Sequence, residues 1–131
     1  MKRLFCILLV VSLVVSLSAC AGMSVSNKMY NKISKYVTDN MNSLNPTEEN
    51  EFYDYKATGL SIGGVYYGFY YSAKNEILLP DFYCGNDIEK IKYDVREDYD
   101  GVYFGKPNNG TDWCFVKKIS DKWYYYELHW A

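Results

Sequence analysis

The stretch GVYYGFYYS, residues 64–72, places large aromatic side chains at most positions and separates them with glycine. Aromatic and β-branched residues are enriched in strands, and successive side chains of a strand point to opposite faces of the sheet. One face of this strand therefore receives Val65, Tyr67, Phe69 and Tyr71. The opposite face receives Tyr66 and Tyr70, so the stretch predicts a strand that is aromatic on both sides.

Five further segments have a strand-like composition and are bounded by turn residues. They lie near 52–58, 76–80, 101–105, 111–119 and 123–130. Short turns at 73–75 and 120–122 and the hairpin signal Asn109-Gly110 favour antiparallel neighbours, because asparagine and glycine tolerate positive φ. The strand-rich part of the chain therefore predicts an antiparallel meander sheet of about four to six strands.

Residues 27–44 precede the strands and show a different period. Apolar side chains recur there at three- and four-residue spacing, at Met29, Ile33, Tyr36, Val37, Met41 and Leu44. This spacing predicts an amphipathic helix, which Ser26 or Asn27 can cap and which Asn45-Pro46 ends. One N-terminal amphipathic helix packed on an antiparallel sheet is an α+β fold. The long polar connection 81–100 predicts a second, short helix around 87–92.

Alternation along the other strands suggests two faces of unequal character. We expect the more apolar face to carry Val65, Phe69, Phe115, Leu128, Trp113 and Trp130. The second face then carries Tyr66, Tyr70, Trp123 and Tyr125, which we take as the candidate binding face, because tyrosine and tryptophan are enriched at interfaces. The structural interpretation, which the frequency of aromatic strand pairs favours, is that cross-strand aromatic pairs stabilise the sheet or that the 81–100 connection covers these rings.

Groups that could carry out catalysis are sparse. His129 is the single histidine, and it alternates with Glu127, so the two side chains are expected on one face of the last strand. The carboxyl groups of residues 94–100 fit a solvated turn, and the glycine-rich 59–64 precedes a strand, so it gives no phosphate-binding loop. We therefore predict no catalytic residue, no metal site and no cofactor, with a small hydrolase as the least favoured alternative.

Two cysteines, Cys84 and Cys114, remain once the cysteines near the N-terminus are set aside. An even pair in an exported domain favours a disulfide bond. Closing a loop of this length would stabilise the fold by roughly 3–4 kcal/mol. The alternatives are two buried free thiols or half of a metal site.

The N-terminus has the order of a secretory signal. Lys2 and Arg3 come first, an apolar run extends from Leu4 to Leu17, and the small residues 18–19 precede Cys20. This order of positive, apolar and small residues is typical of a cleaved signal peptide. An uncleaved membrane anchor is the alternative, but the apolar run is short for a membrane span, which needs roughly 18–20 residues.

The segment Leu17-Ser18-Ala19-Cys20 resembles the lipobox of bacterial membrane lipoproteins, and the resemblance covers only the first twenty residues. It implies a diacylglyceryl thioether on Cys20 and cleavage just before it. The expected organisation is then a removed signal peptide at 1–19, a lipidated tether at 20–26 and a single α+β domain at 27–131. Two or more acyl chains anchor a protein stably, so the domain is expected on the extracytoplasmic face of the cell membrane, or on the outer membrane of a Gram-negative source.

Net charge argues against nucleic acid as a partner. Loss of residues 1–19 removes two of the 14 basic side chains and leaves 12 against 16 acidic ones, a formal net charge of −4. Nucleic-acid binding usually shows as a basic patch, so no nucleic-acid partner is expected. The sequence favours a surface-anchored, non-catalytic domain that binds another protein, as an inhibitor or immunity factor does. The alternative is a module that binds envelope polysaccharide.

Overall fold

The computed structural model describes residues 25–60, 63–80, 82, 88–107 and 110–130. The predicted signal peptide, the lipobox-like segment with Cys20 and the predicted disulfide partner Cys84 lie outside the described residues. The described elements, in chain order, are α1 (Asn27–Leu44), β1 (Asn50–Leu60), β2 (Gly63–Ser72), α2 (Ile88–Tyr93), β3 (Val95–Asp98), β4 (Gly101–Phe104), β5 (Trp113–Ser120) and β6 (Trp123–Trp130). One long helix on an antiparallel sheet confirms the predicted α+β class.

The sheet has six strands in the order β1-β2-β6-β5-β4-β3. The last four strands form a meander, as predicted, but the whole sheet does not. The chain leaves β2, crosses to the far edge to form β3, and returns strand by strand until β6 pairs antiparallel with β2. The connection from β2 to β3 is long enough to cross the sheet, and this crossing is the reason that a simple meander was the wrong expectation.

Residues 76–80 are not a strand, which corrects the sequence-based prediction. The Leu78 amide donates to the Tyr70 hydroxyl at 3.0 Å, and that hydroxyl donates to the Glu76 carbonyl at 2.9 Å. The Glu76 amide donates to the Ser72 hydroxyl at 3.0 Å. Side chains of β2 thus satisfy backbone groups that a neighbouring strand would otherwise bond, and the segment lies as a loop against the sheet.

Helix α1 begins and ends where the sequence indicates. The Ser26 hydroxyl accepts a hydrogen bond from the Met29 amide at 3.2 Å, and Asn45 ends the helix in the left-handed conformation at φ 39°. Ile33 and Val37, on the predicted apolar stripe, are fully buried. Burial of each such side chain stabilises the docked helix by about 1.5–3 kcal/mol.

Two hydrophobic clusters cover the two faces of the sheet. On the helix face, which we define as the side that α1 packs against, the buried residues are Ile33, Val37, Phe69, Trp113, Phe115, Trp123 and Tyr125. On the loop face, which we define as the opposite side, the buried residues are Tyr70, Ile91, Phe104, Cys114, Val116, Tyr124, Tyr126 and Leu128. Leu78, Leu79 and Ile88 pack against this second cluster. The connection between β2 and β3 therefore covers the loop face.

Glycines in β2 make room for the rings of β6. A Cβ atom on Gly68 would lie 2.4 Å from the Tyr126 hydroxyl oxygen, and one on Gly64 would lie 2.5 Å from the Trp130 ring. Contacts this close are sterically forbidden, so each ring fills the space that a side chain on β2 would occupy. Glycine and tyrosine therefore alternate at 64, 66, 68 and 70 because, on the loop face, the glycines leave room for rings of the neighbouring strand.

Burial of tyrosine hydroxyls makes the fold sensitive to alkali. Burial raises the pKa of both Tyr70 and Tyr125 above the ordinary value. In the unfolded chain these phenols ionise near pH 10, whereas in the folded protein they stay neutral beyond that pH. Their contribution to stability is therefore present below about pH 10 and is lost as the pH rises further.

We expect the free energy of unfolding in urea to fall gently from about pH 8.5, where the Cys114 thiol ionises in the unfolded chain but not in the folded one. It should fall more steeply above pH 10, where the phenols ionise in the unfolded chain. Tyr70→Phe should flatten that fall, whereas Tyr99→Phe, at a ring that is 98% exposed, should leave it unchanged. Absorbance of the phenolate, followed through the same titration, should rise with unfolding. A free energy of unfolding that stays constant to pH 11 would contradict the expectation.

Candidate functional site

The candidate binding face predicted from the sequence does not exist as one surface. Tyr66 and Tyr70 lie on the loop face, whereas Trp123 and Tyr125 lie on the helix face. Tyr70 is fully buried, and so is Tyr125, while Trp123 is 6% exposed. Of the four, Tyr66 alone is substantially exposed, at 38%.

The predicted binding face was wrong because the sequence does not give the register between β2 and β6, and so does not show which faces of the two strands coincide. In the structure Phe69 pairs with Tyr125 and Tyr66 pairs with Leu128, and directly opposed residues share a face of the sheet. Alternation within one strand gives the faces of that strand, but the register with its neighbour decides which faces coincide. The expected apolar face was wrong for the same reason, since Leu128 lies on the loop face. The structural alternative, in which rings stabilise the sheet and the connection covers them, is the one that the contacts support.

A buried acidic network joins α1 to the sheet. One oxygen of the Glu127 carboxyl group, Oε2, accepts hydrogen bonds from the Ser26 amide at 3.1 Å and from the Tyr125 hydroxyl. The other oxygen, Oε1, lies 2.7 Å from His129 Nε2. Glu127 is fully buried and His129 is 9% exposed, which confirms that the two side chains share a face. Sequence alternation placed Tyr125, Glu127 and His129 on one face of the last strand, but it gave no sign of the contact with Ser26.

The network fixes structure at the start of α1. Ser26 is the cap of that helix, and a negative group near a helix N-terminus is favourable because the exposed amides there carry partial positive charge. The His129 ring stacks on Trp113 with centroids 3.7 Å apart and planes 10° from parallel. The hydrogen bond from the Ser26 amide to Glu127 thus joins the start of α1 to β6.

Cys114 is a free thiol in the structure and is fully buried on the loop face. Burial, together with the negative charge of Glu127, raises the pKa of this thiol well above its usual value. Such a thiol is a poor nucleophile, because the thiolate is the reactive form. Since Cys84 lies outside the described residues, the Cys84–Cys114 disulfide stays a prediction.

An open groove lies on the loop face where the connection leaves the sheet uncovered. Its volume is about 370 Å³, and Ile77, Val102 and Val116 contribute its apolar lining. Glu97 and Lys118 also line it. The groove borders the turn between β3 and β4, where Tyr99 stands 98% exposed.

Exposed apolar side chains concentrate beside that turn. Tyr93 is 74% exposed and Val95 is 51% exposed, so with Tyr99 three large side chains lie open within a short segment around β3. Sequence reasoning treated this segment as a polar, solvated connection and missed these residues. The available signal was the placement of tyrosine and valine between charged residues, which is the composition of an exposed edge strand.

A second group of partly exposed rings lies at the other end of the loop face. Tyr66 stacks on Trp130 with centroids 4.4 Å apart, and Phe82 meets the Tyr66 ring edge-on at 5.9 Å. Phe82 is 41% exposed. The rings of Tyr66 and Trp130 each use one face on the other, so only their outer faces and edges are open to solvent.

In the described part of the chain, no group of three or more histidine, cysteine, aspartate or glutamate side chains is arranged to hold a metal ion. Within the same described ranges, no helix is both long enough and apolar enough to cross a membrane.

Comparison of the chain with models of protein families, with curated proteins and with solved structures found no match. The function must therefore be argued from the residues and their geometry.

The Glu127 network predicts a large effect of one substitution on stability. Glu127→Ala removes the acceptor of the Tyr125 hydroxyl and the Ser26 amide and leaves them buried without partners, which should cost about 3–5 kcal/mol. Glu127→Gln keeps one acceptor oxygen and should cost about 1–2 kcal/mol. The matched control Glu97→Ala, at an exposed carboxyl group, should stay within about 0.5 kcal/mol of the unsubstituted protein.

Chemical unfolding of the purified protein, followed by tryptophan fluorescence, measures all three variants. Equal losses for Glu127→Ala and Glu97→Ala would show that the buried network does not hold the helix to the sheet.

Proposed function

We propose that this protein is a membrane-tethered, non-catalytic binding domain whose partner is another protein, as for an inhibitor or immunity factor. The observation that carries the proposal is the contrast between buried reactive groups and exposed apolar ones. The Glu127–His129 pair and Cys114 are buried and committed to internal contacts. Tyr93, Val95 and Tyr99 are exposed, and exposed aromatic and apolar side chains are typical of protein interfaces.

The proposed location rests on the N-terminal sequence. The lipobox-like Leu17-Ser18-Ala19-Cys20 follows an apolar run of signal-peptide length. Acylation at Cys20 would attach the domain to the extracytoplasmic face of the membrane. Few residues then separate the lipid from Ser26, where the described fold begins its first helix, so the partner would meet the domain close to the membrane surface.

Polysaccharide binding is the second candidate, and the Tyr66–Trp130 pair is the observation that favours it. Sugar recognition also requires polar side chains beside the rings. The amide group of Asn75 donates to Asp121 at 2.9 Å and accepts from the Lys122 amide at 2.6 Å. Asn75 thus holds the turn beside Ser72 and Lys122, at the end of β2 opposite the Tyr66–Trp130 pair, so its amide group supplies no polar contact to those rings.

Lipidation is tested by labelling. We expect radiolabelled palmitate to enter the protein expressed in bacteria and the membrane fraction to contain it. Cys20→Ser should abolish labelling and leave an unprocessed precursor, whereas the control Cys6→Ser, at a cysteine within the apolar run, should be labelled normally. Labelling that persists in the Cys20→Ser variant would refute attachment at this thiol.

The partner class is tested by photo-crosslinking in intact source cells. A photoreactive phenylalanine analogue in place of Tyr99 should give an adduct of discrete mass that protease degrades and that glycan-degrading enzymes leave intact. The same analogue in place of Lys56, an exposed residue of β1, is the matched control and should give no such adduct. An adduct that only glycan-degrading enzymes remove would overturn the protein-partner proposal and favour the polysaccharide one.

A further inference from the structure

The outer edge of β3 has backbone groups open to a partner. β3 is the last strand of the sheet that the described residues form. The Gly105 amide donates to the carbonyl of Asp94, the residue before β3, at 2.8 Å. Antiparallel pairs alternate between hydrogen-bonded and non-bonded residues. Since Asp94 bonds across to β4, the alternate residue Arg96 also faces β4. Val95 and Glu97 therefore direct their amide and carbonyl groups away from β4.

Side chains along this edge are unusually open for a folded strand. All four residues of β3 are exposed, and Val95 is half exposed although its side chain is apolar. Tyr93 precedes the strand and Tyr99 follows it, so a large exposed ring stands at each end. An edge strand with open backbone groups and flanking apolar side chains is a template for an added strand.

The side chains along the β3 edge carry a net negative charge, which favours a positively charged partner. Between residues 92 and 100 the acidic side chains outnumber the basic ones by four to two, with Asp94, Glu97, Asp98 and Asp100 against Lys92 and Arg96. The Arg96 guanidinium lies over the Tyr103 ring at 4.7 Å, so it is engaged on the helix face. Val95 and Glu97 project towards the loop face, because their partners Phe104 and Val102 belong to that cluster.

We propose that the β3 edge binds an extended segment of the partner protein as an additional strand. The segment carries an apolar residue opposite Val95 and a lysine or arginine opposite Glu97, two positions apart. Directly opposed side chains share a face, so these two residues meet the apolar and the acidic side chain of the loop face together. This inference rests on the proposed function, of which it names the surface and the chemistry of the partner.

A second copy of this chain fits the edge less well than a basic segment does. Among the antiparallel registers that use the same outward backbone groups, the one centred on Arg96 places two guanidinium groups opposite each other. The one centred on Glu97 forms two Arg96–Asp98 pairs but places two carboxyl groups opposite each other, whereas a lysine or arginine opposite Glu97 leaves no like-charge pair there. Like charges directly opposite each other destabilise strand pairing. The charge pattern therefore favours a basic segment of a different protein.

The test begins with a library of random ten-residue peptides displayed on phage and selected on the full-length lipidated protein in detergent micelles. We expect enrichment of peptides in which an apolar residue and a lysine or arginine stand two positions apart. Selection on Glu97→Lys should enrich aspartate or glutamate at the second position instead. The absence of any enrichment, or enrichment of the same basic peptides by the Glu97→Lys variant, would overturn strand addition at β3.

Binding of the most enriched peptide, labelled with a fluorophore, then tests the backbone contact. Val95→Pro removes the outward amide at the first residue of an edge strand, where proline is tolerated, and should weaken binding roughly fivefold to tenfold. Val95→Thr keeps the amide and should weaken binding by less than about threefold. Equal affinities for Val95→Pro and Val95→Thr would overturn the proposal, and a thermal melt verifies that both variants are folded.

The charge-reversal experiment keeps the inference testable should Val95→Pro fail to fold. Crosslinking at Tyr99 distinguishes failure of the proposed protein-binding function from failure of strand addition at β3. A protein adduct there, together with peptide selection that ignores Glu97, leaves the binding function standing and rejects the added strand. A glycan adduct rejects both.

Discussion

A sheet that carries aromatic side chains on both faces must be covered on both, and this constraint shapes the rest of the molecule. Seven of the eight residues of β6 are buried, which requires a layer above and a layer below the centre of the sheet. Helix α1 supplies one layer and the connection between β2 and β3 supplies the other. The Tyr70 hydroxyl bonds the Glu76 carbonyl and the Leu78 amide of this irregular connection. The apolar side chains that stay exposed lie at the periphery, around β3 and at the Tyr66–Phe82 end of the loop face.

Burial of apolar side chains alone does not fix the position of α1 on the sheet. The hydrogen bonds of the Glu127 network help to fix that position. A buried carboxyl group is tolerated only where hydrogen bonds replace the water it loses. Glu127 finds them in Ser26, Tyr125 and His129, and only Ser26 belongs to the covering layer. Apolar contacts such as those of Ile33 and Val37 are not directional, whereas the Ser26 amide and the Tyr30 hydroxyl bond defined acceptors on the sheet. Polar contacts thus specify the position that apolar contacts stabilise.

The spacing of apolar residues predicted most of the individual helices and strands, but it did not predict the register in which the strands pair. Helix α1 was predicted at its observed bounds because its apolar stripe and its cap are local features. The pairing of Phe69 with Tyr125 is not local, and nothing in either strand alone states which of its faces meets the helix. The bond from Ser26 to Glu127 spans 101 positions, so the candidate network was only half predictable. β3 was missed because three of its four residues are charged and all four are exposed, so it lacks the apolar alternation of a half-buried strand.

The start of α1, to which the proposed lipid tether would lead, and the open edge of β3 lie at different parts of the sheet, so the proposed binding at that edge is compatible with the proposed anchoring. The helix start is held at β6, while β3 lies three strand spacings away, about 14 Å across the sheet. A lipid on Cys20 would hold Ser26 within about 20 Å of the membrane. A partner strand added at β3 would then extend the sheet sideways without displacing α1 or its buried carboxyl group. Covering both faces of the sheet leaves its edge as the place where another chain can join.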